Sequence, residues 1–159
     1  WEGPVYVRLT RGPVPVMYSQ EQKFALGKAI QRRDGTDLTI IGLGDMLCWA
    51  EEAARRLERE GIQARVLDMH TVKPIDKAAV LRAAEETGAI VTVEDHNIIN
   101  GLGGAVAETV SDGCPVPVKR IGLADTFAES GAYEKLLTKY GMSTEHIVRA
   151  AYEVLKMKK

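Results

Sequence analysis

Two short glycine-containing turns are the first places where this chain could bind a ligand. They are Gly42–Asp45 and Asn100–Gly104, and each leads into a predicted helix. Free backbone N–H groups at the start of a helix attract anions such as phosphate. The turns could therefore form an anion site, but the sequence favours the second interpretation, a close approach of helix to sheet for which glycine leaves room. The candidate binding residues are Gly44, Asp45, Gly101, Gly103 and Gly104.

A second candidate is the run Glu94-Asp95-His96, which we expect at the end of a buried strand. Carboxylates beside an imidazole can take part in acid–base catalysis or bind a metal. His70 follows another predicted strand, so the two histidines could approach each other if the strands are parallel. A metal site, however, usually draws three or four ligands from several elements. The sequence favours a polar interface cluster, with no metal site and no catalytic residue.

Arg11 is a third candidate, because a guanidinium group is suited to bidentate recognition of phosphate. It follows the alternating run Val5–Leu9, which predicts a short strand, and it precedes Gly12-Pro13. On this pattern alone, an isolated Arg such as Arg11 is more often an ordinary solvated surface residue.

Composition excludes several classes of protein. The chain has 159 residues, of which 45% are hydrophobic and 27% charged, and its net charge is −1. It therefore resembles one ordinary globular domain, with no electrostatic reason to bind nucleic acid or a membrane surface. No apolar run approaches the roughly 20 residues of a membrane span. Cys48 and Cys114 form no disulfide framework, and the sequence default is cytoplasmic.

Established catalytic and cofactor motifs are missing from the sequence. Neither glycine turn is a dinucleotide fingerprint, because Leu47 and Val106 stand where the third glycine would be. There is no P-loop, no Gly-x-Ser-x-Gly, no His-Glu-x-x-His and no Gly-Asp-Gly motif. The pattern thus predicts an α/β domain without catalytic machinery of its own.

The elements that must position these residues alternate between strand and helix. Asp34-Gly35 predicts a hairpin that joins 25–32 to 38–43, which would give one antiparallel pair. The later alternation implies βαβ crossovers. We therefore predict a three-layer α/β/α fold whose sheet is mostly parallel, with one antiparallel strand. Further strands are expected at 64–69, 89–93 and 117–121, and helices at 45–60, 76–87, 104–111, 133–140 and 144–156.

Four ordered segments resemble the C-terminal domain of transketolases. The strand–turn–helix segment Val66–Asp76 is similar to the signature of that family, although His70 stands where many relatives carry Arg. The same signature occurs in deoxyxylulose-phosphate synthases and in the beta subunits of 2-oxoacid dehydrogenases. The resemblance covers about 24–157. The other segments that carry it are Val91–Gly104, Val118–Gly131 and Leu137–Ile147.

The resemblance also implies a domain organisation. Residues 24–159 would be the transketolase C-terminal domain, and residues 1–23 a remnant of the preceding pyrimidine-binding domain followed by a linker. A first residue that is not Met, Trp1, agrees with a piece of a longer protein. Within the remnant, Arg11 resembles the arginine that contacts the phosphate of the sugar substrate in the full enzyme.

In transketolases, upstream domains bind thiamine diphosphate and Mg²⁺ at the interface of a homodimer, and a two-carbon ketol unit is transferred. The resemblance implies that this chain binds no cofactor. Its expected roles are contact with the thiamine-diphosphate-binding domains or subunit, a share of the dimer interface, and binding of a regulator. The alternatives are a deoxyxylulose-phosphate synthase domain, a docking domain like that of 2-oxoacid dehydrogenases, or an independent small-molecule binder.

Overall fold

The computed structural model describes residues 1–158, and it contains one five-stranded sheet between two helical layers. The strand order is β1-β3-β2-β4-β5; β2 to β5 are parallel, and β1 is antiparallel to β3. The predicted three-layer α/β/α fold with one antiparallel strand is confirmed. The strands are β1 (Ile30–Arg33), β2 (Leu38–Gly42), β3 (Ala64–Asp68), β4 (Ile90–Asn97) and β5 (Val118–Leu123). The helices are α1 (Met46–Arg59), α2 (Lys77–Thr87), α3 (Leu102–Gly113), α4 (Tyr133–Lys139) and α5 (Thr144–Met157).

Each face of the sheet has its own apolar layer. Ile40 packs toward α1, α4 and α5, whereas its neighbour Ile41 packs toward α2 and α3, as the two-residue period of a strand requires. Burial of both faces explains why β2 and β3 are buried along their whole length. The helices contribute apolar stripes at the predicted positions. In α1 the buried side chains are Met46, Leu47, Ala50, Ala53, Ala54 and Leu57.

The predicted hairpin around Asp34-Gly35 is wrong. β1 pairs with β3, with Ile30 opposite Asp68, whereas β2 pairs in parallel with β3 and β4. A Cβ atom added to Gly35 would lie 2.4 Å from the backbone of Ala64. The turn therefore crosses closely over the start of β3 and carries β1 to its far side. Gly35 is needed for this close approach and not for the positive φ of a hairpin turn.

The predicted strand at 5–9 is also absent, because no other strand of the described residues pairs with it. Residues 1–16 are exposed throughout. Its apolar side chains are largely exposed: Val5, Tyr6, Val7 and Leu9 are 56%, 88%, 68% and 84% exposed. The division of the chain at residues 23 and 24 stays a prediction.

β4 is longer than predicted and continues through Glu94, Asp95 and His96 to Asn97. The carboxylate of Glu94 is fully buried, and its two oxygens accept hydrogen bonds from the backbone N–H groups of Leu102 (2.7 Å) and Gly103 (2.8 Å). These groups belong to the first turn of α3, which has no other side-chain cap. Glu94 thus stabilises the start of α3 by charge–dipole attraction and joins the helix to the centre of the sheet.

Replacing Gly35 tests the close crossing of β1 over β3. We expect Gly35→Ala to lower the free energy of unfolding by about 1–3 kcal/mol, because the methyl group would overlap the β3 backbone. The control is Gly104→Ala, whose methyl group would meet no atom within 4 Å and whose site lies inside α3. That change should raise stability by about 0.5–1 kcal/mol. Urea unfolding of both variants is the measurement, and equal stability would contradict the crossing.

Replacing Glu94 tests the cap on α3. Glu94→Gln keeps the shape but turns one acceptor into an NH₂ donor, which would then face a backbone N–H donor. We expect a loss of roughly 1–3 kcal/mol in the free energy of unfolding. Glu108→Gln, an exposed acid on the same helix, should change stability by less than about 0.5 kcal/mol. Indistinguishable urea midpoints for the two variants would show that the cap does not stabilise the domain.

Candidate functional site

The candidate site lies at the carboxyl ends of the neighbouring strands β2 and β4. From β2 the chain turns to α1 on one face of the sheet, and from β4 it turns to α3 on the other face. Open α/β sheets bind ligands in the crevice that such a divergence creates. Both glycine turns predicted from the sequence open onto this edge.

The second glycine turn is occupied from within the chain. The N–H groups of Leu102 and Gly103 already bind Glu94, so these two donors are not available to an external anion. A Cβ atom on Gly101 would lie 2.0 Å from a carboxylate oxygen of Glu94, and one on Gly103 would lie 2.8 Å from the side chain of Arg120. Gly101 and Gly103 are therefore required for close packing, which is the interpretation that the sequence favoured for this turn. Gly104 has no such neighbour.

A cleft of about 360 Å³ runs beside the second turn. Lys73 and Lys77 lie in its lining together with the carboxylates of Glu108 and Asp112. The opposite charges balance each other, so the cleft shows no electrostatic preference for an anion.

The first glycine turn is closed by a residue that sequence reasoning missed. Gly44 has a φ of +62°, which glycine adopts without strain, and Asp45 stands at the start of α1. The Asp45 carboxylate does not cap α1; it accepts a hydrogen bond from the hydroxyl of Tyr133 at 2.8 Å. Burial raises the pKa of Tyr133, and the bond to Asp45 raises it further. The loop before Tyr133 contains no sequence motif from which its hydrogen bond to Asp45 could be predicted.

Asp95 is the second carboxylate of the crevice. Its side chain is 30% exposed and lies 3.5 Å from the guanidinium group of Arg8. Burial raises the pKa of the Asp95 carboxyl, the negative charge of Asp45 raises it further, and Arg8 opposes both effects. Arg8 was not among the candidates from sequence, because a lone Arg in an alternating run gives no signal of its partner.

The two histidines are not brought together. His70 follows the end of β3 and His96 belongs to β4, and β2 lies between these strands. The ring of His96 contacts the Asn97 carbonyl oxygen at 2.8 Å and a Glu94 oxygen at 4.0 Å. His70 contacts the Thr71 hydroxyl at 2.9 Å. Within residues 1–158, no three His, Cys, Asp or Glu side chains are placed to hold a metal ion.

The linker before β1 is fastened to the same edge of the sheet. The hydroxyl of Tyr18 donates to the buried carboxylate of Asp68 at 2.6 Å, and the Arg32 guanidinium lies 4.4 Å from the Tyr18 ring centre. Phe24 packs edge-on against both Tyr18 and His70. Burial raises the pKa of Asp68, and the Tyr18 hydrogen bond opposes that rise. We call these five residues the linker clasp.

Arg11 lies apart from the crevice. It is exposed, and its side chain makes no ion pair or hydrogen bond with any other residue that the structure describes. Its contact with a substrate phosphate stays a prediction. A separate finding concerns membranes: none of the described helices combines the length and apolar character that crossing a bilayer needs.

Comparisons with known proteins assign the family. Residues 27–147 match the family model described as the transketolase C-terminal domain. Over 157 residues the chain is 48% identical to the 6-deoxy-6-sulfo-D-fructose transketolase subunit SqwH of Clostridium sp. (strain MSTE9), covering 99% of this chain and 49% of that protein. It is 47% identical to an apulose-4-phosphate transketolase subunit of Phocaeicola vulgatus, covering 96% of this chain and 49% of that protein.

More distant relatives and solved structures agree. The 1-deoxy-D-xylulose-5-phosphate synthase of Heliobacterium modesticaldum is 40% identical, covering 97% of this chain and 24% of that protein. A solved split-gene transketolase, described as an inactive beta4 tetramer, superposes with a TM-score of 0.91 at 44% identity, covering 94% of this chain and 49% of that one. The transketolase of Leishmania mexicana, with a TM-score of 0.62 and 22% identity, shares the fold.

The extent of the match is as informative as its strength. This chain spans about half the length of the transketolase subunits that it matches. The match includes the strand–turn–helix segment Val66–Asp76 and the turn whose N–H groups bind Glu94. The chain belongs to the transketolase C-terminal domain family.

Proposed function

We propose that this chain is the C-terminal part of a transketolase, which transfers a two-carbon ketol unit from a ketose to an aldose together with thiamine-diphosphate-binding domains outside the chain. The observation that carries the proposal is its 48% and 47% identity, over nearly its whole length, with named transketolase subunits. The TM-score of 0.91 to a split-gene transketolase supports it.

The residues present do not fit thiamine diphosphate and its divalent metal. A diphosphate needs several free donors, and the two N–H groups of the second glycine turn are bound to Glu94. A metal needs converging oxygen ligands, and the described residues contain no such group of three. Both would therefore be held by the partner domains, and this chain would contribute structure and substrate contact.

We infer that residues 1–16 form a strand in the sheet of the partner domain. Val5, Val7 and Leu9 alternate with polar residues and are more than half exposed. An alternating apolar segment without a ladder partner is what the last strand of a neighbouring sheet looks like when that sheet is missing. In the assembled enzyme this strand would be paired, and Arg11 would contact the phosphate of the sugar substrate.

The assembly would be a dimer of paired halves, as expected for transketolases, and cytoplasmic residence stays a prediction. A second candidate reaction is synthesis of 1-deoxy-D-xylulose 5-phosphate, favoured by 40% identity with a synthase of that name. It ranks second because identity with the transketolase subunits is higher over a similar share of this chain.

Reconstitution tests the proposed activity. We expect the full-length protein that contains this chain, together with the remaining thiamine-diphosphate-binding domains or subunit from the same organism, to transfer a ketol unit between sugar phosphates when thiamine diphosphate and Mg²⁺ are supplied. The isolated chain under the same conditions should be inactive. Ketol transfer by the isolated chain would contradict the proposal, and product formation from pyruvate and a triose phosphate alone would favour the second candidate.

Replacing Arg11 tests its contact with substrate. In the reconstituted enzyme, Arg11→Ala should raise KM for a phosphorylated acceptor by roughly 10- to 100-fold, which corresponds to a charge-assisted bond of about 1.5–3 kcal/mol. Arg82→Ala is the control, because Arg82 is also exposed but lies on α2. Equal KM values for the two variants would remove Arg11 from the site.

A further inference from the structure

We propose that Asp95 is a positioning residue for the substrate phosphate, because it holds Arg8 and thereby orients the segment that carries Arg11. The inference rests on the proposed function, and it gives this domain a part in substrate recognition beyond packing.

A side-chain ion pair joins residues 1–16 to the domain. Within residues 1–158, Arg8 and Asp95 form the sole side-chain ion pair or hydrogen bond between residues 1–16 and the remainder of the chain. The segment is otherwise exposed, so its direction beyond the linker clasp depends on this pair.

A neighbouring cation favours the ionised form of Asp95. The Asp95 side chain is partly buried near the end of β4, with 30% exposed, and both this burial and the nearby negative charge of Asp45 disfavour its ionised form. The hydroxyl of Tyr133 donates a hydrogen bond to the Asp45 carboxylate, but it carries no positive charge that could balance the negative charge of Asp95. The guanidinium group of Arg8 supplies that charge, so the pair has an electrostatic reason beyond that of an ordinary surface ion pair.

The spacing of Arg8 and Arg11 connects this ion pair to the substrate phosphate. Arg11 lies two residues beyond the alternating run Val5–Leu9 and three residues after Arg8. Three residues of extended chain span about 10 Å, so holding Arg8 restricts the position of Arg11. Asp95 would thus act on the phosphate through the backbone without touching substrate.

The test uses the reconstituted holoenzyme with the variants Asp95→Asn and Arg8→Gln, each alone and combined. Each single variant should raise KM for a phosphorylated acceptor by roughly 3- to 10-fold with little change in kcat, as expected when a binding group is misplaced. The double variant should be no worse than either single one, because both remove the same contact. KM for glycolaldehyde, which has no phosphate, should not change.

Asp125→Asn is the matched control. Asp125 is an exposed acid at the same end of the sheet, and it accepts a hydrogen bond from Asn97 at 2.9 Å. It should behave as wild type with both acceptors. Arg8→Gln keeps the test valid if Asp95→Asn folds poorly, because Arg8 is exposed and outside the apolar core.

The outcomes separate this inference from the proposed function. If Arg11→Ala raises KM but Asp95→Asn and Arg8→Gln act as wild type, the positioning role is wrong while the proposed function stands. If both variants impair phosphorylated and unphosphorylated acceptors equally, the pair serves general assembly and the inference is overturned. A loss confined to phosphorylated acceptors, shared by both variants and not additive, supports it.

Discussion

The buried carboxylate of Glu94 is the interaction on which the organisation of this domain depends. A charge without solvent is costly unless it is fully hydrogen-bonded, and here two N–H groups at the positive end of α3 meet it. The arrangement requires a glycine at position 101, because any side chain there would overlap the carboxylate. It therefore determines the residues of the turn, the start of α3 and the way α3 packs on β4.

This interaction also explains why a turn that looks like a ligand site binds its own chain. The dipole and free donors that would attract a phosphate attract Glu94 equally well, and Glu94 is always present. The neighbouring positions follow the same principle: Tyr133 hydrogen-bonds to Asp45, and Arg8 lies at Asp95. The crevice that holds a ligand in many α/β domains is used here to fasten segments of the protein.

The sequence predicted the features that depend on local periodicity. It failed for features that depend on contact with a part of the chain that is distant in sequence. Apolar spacing located the buried stripe of α1, and strand–helix alternation predicted the parallel sheet. The pair Asp34-Gly35 has the local chemistry of a hairpin, but its glycine makes room for the backbone of Ala64, which no local pattern reveals. The strand expected at 5–9 has the right alternation and lacks a partner. Glu94 was recognised as unusual, yet its partners follow eight and nine residues later in the chain.

Burial differs between two parts of the chain: the domain encloses its apolar core, whereas residues 1–16 leave their apolar side chains exposed. Both apolar layers are closed, and their central side chains, such as Ile40, Ile41 and Leu102, have no exposed surface. Residues 1–16 expose apolar area that burial would stabilise by about 25 cal/mol per Å², which a partner sheet would supply. The apolar core of the domain is therefore closed within this chain, whereas the apolar side chains of residues 1–16 remain exposed. Among the described residues, the contacts that connect the segment and the linker to the domain include the linker clasp, the packing of Met17 on the core and the Arg8–Asp95 pair.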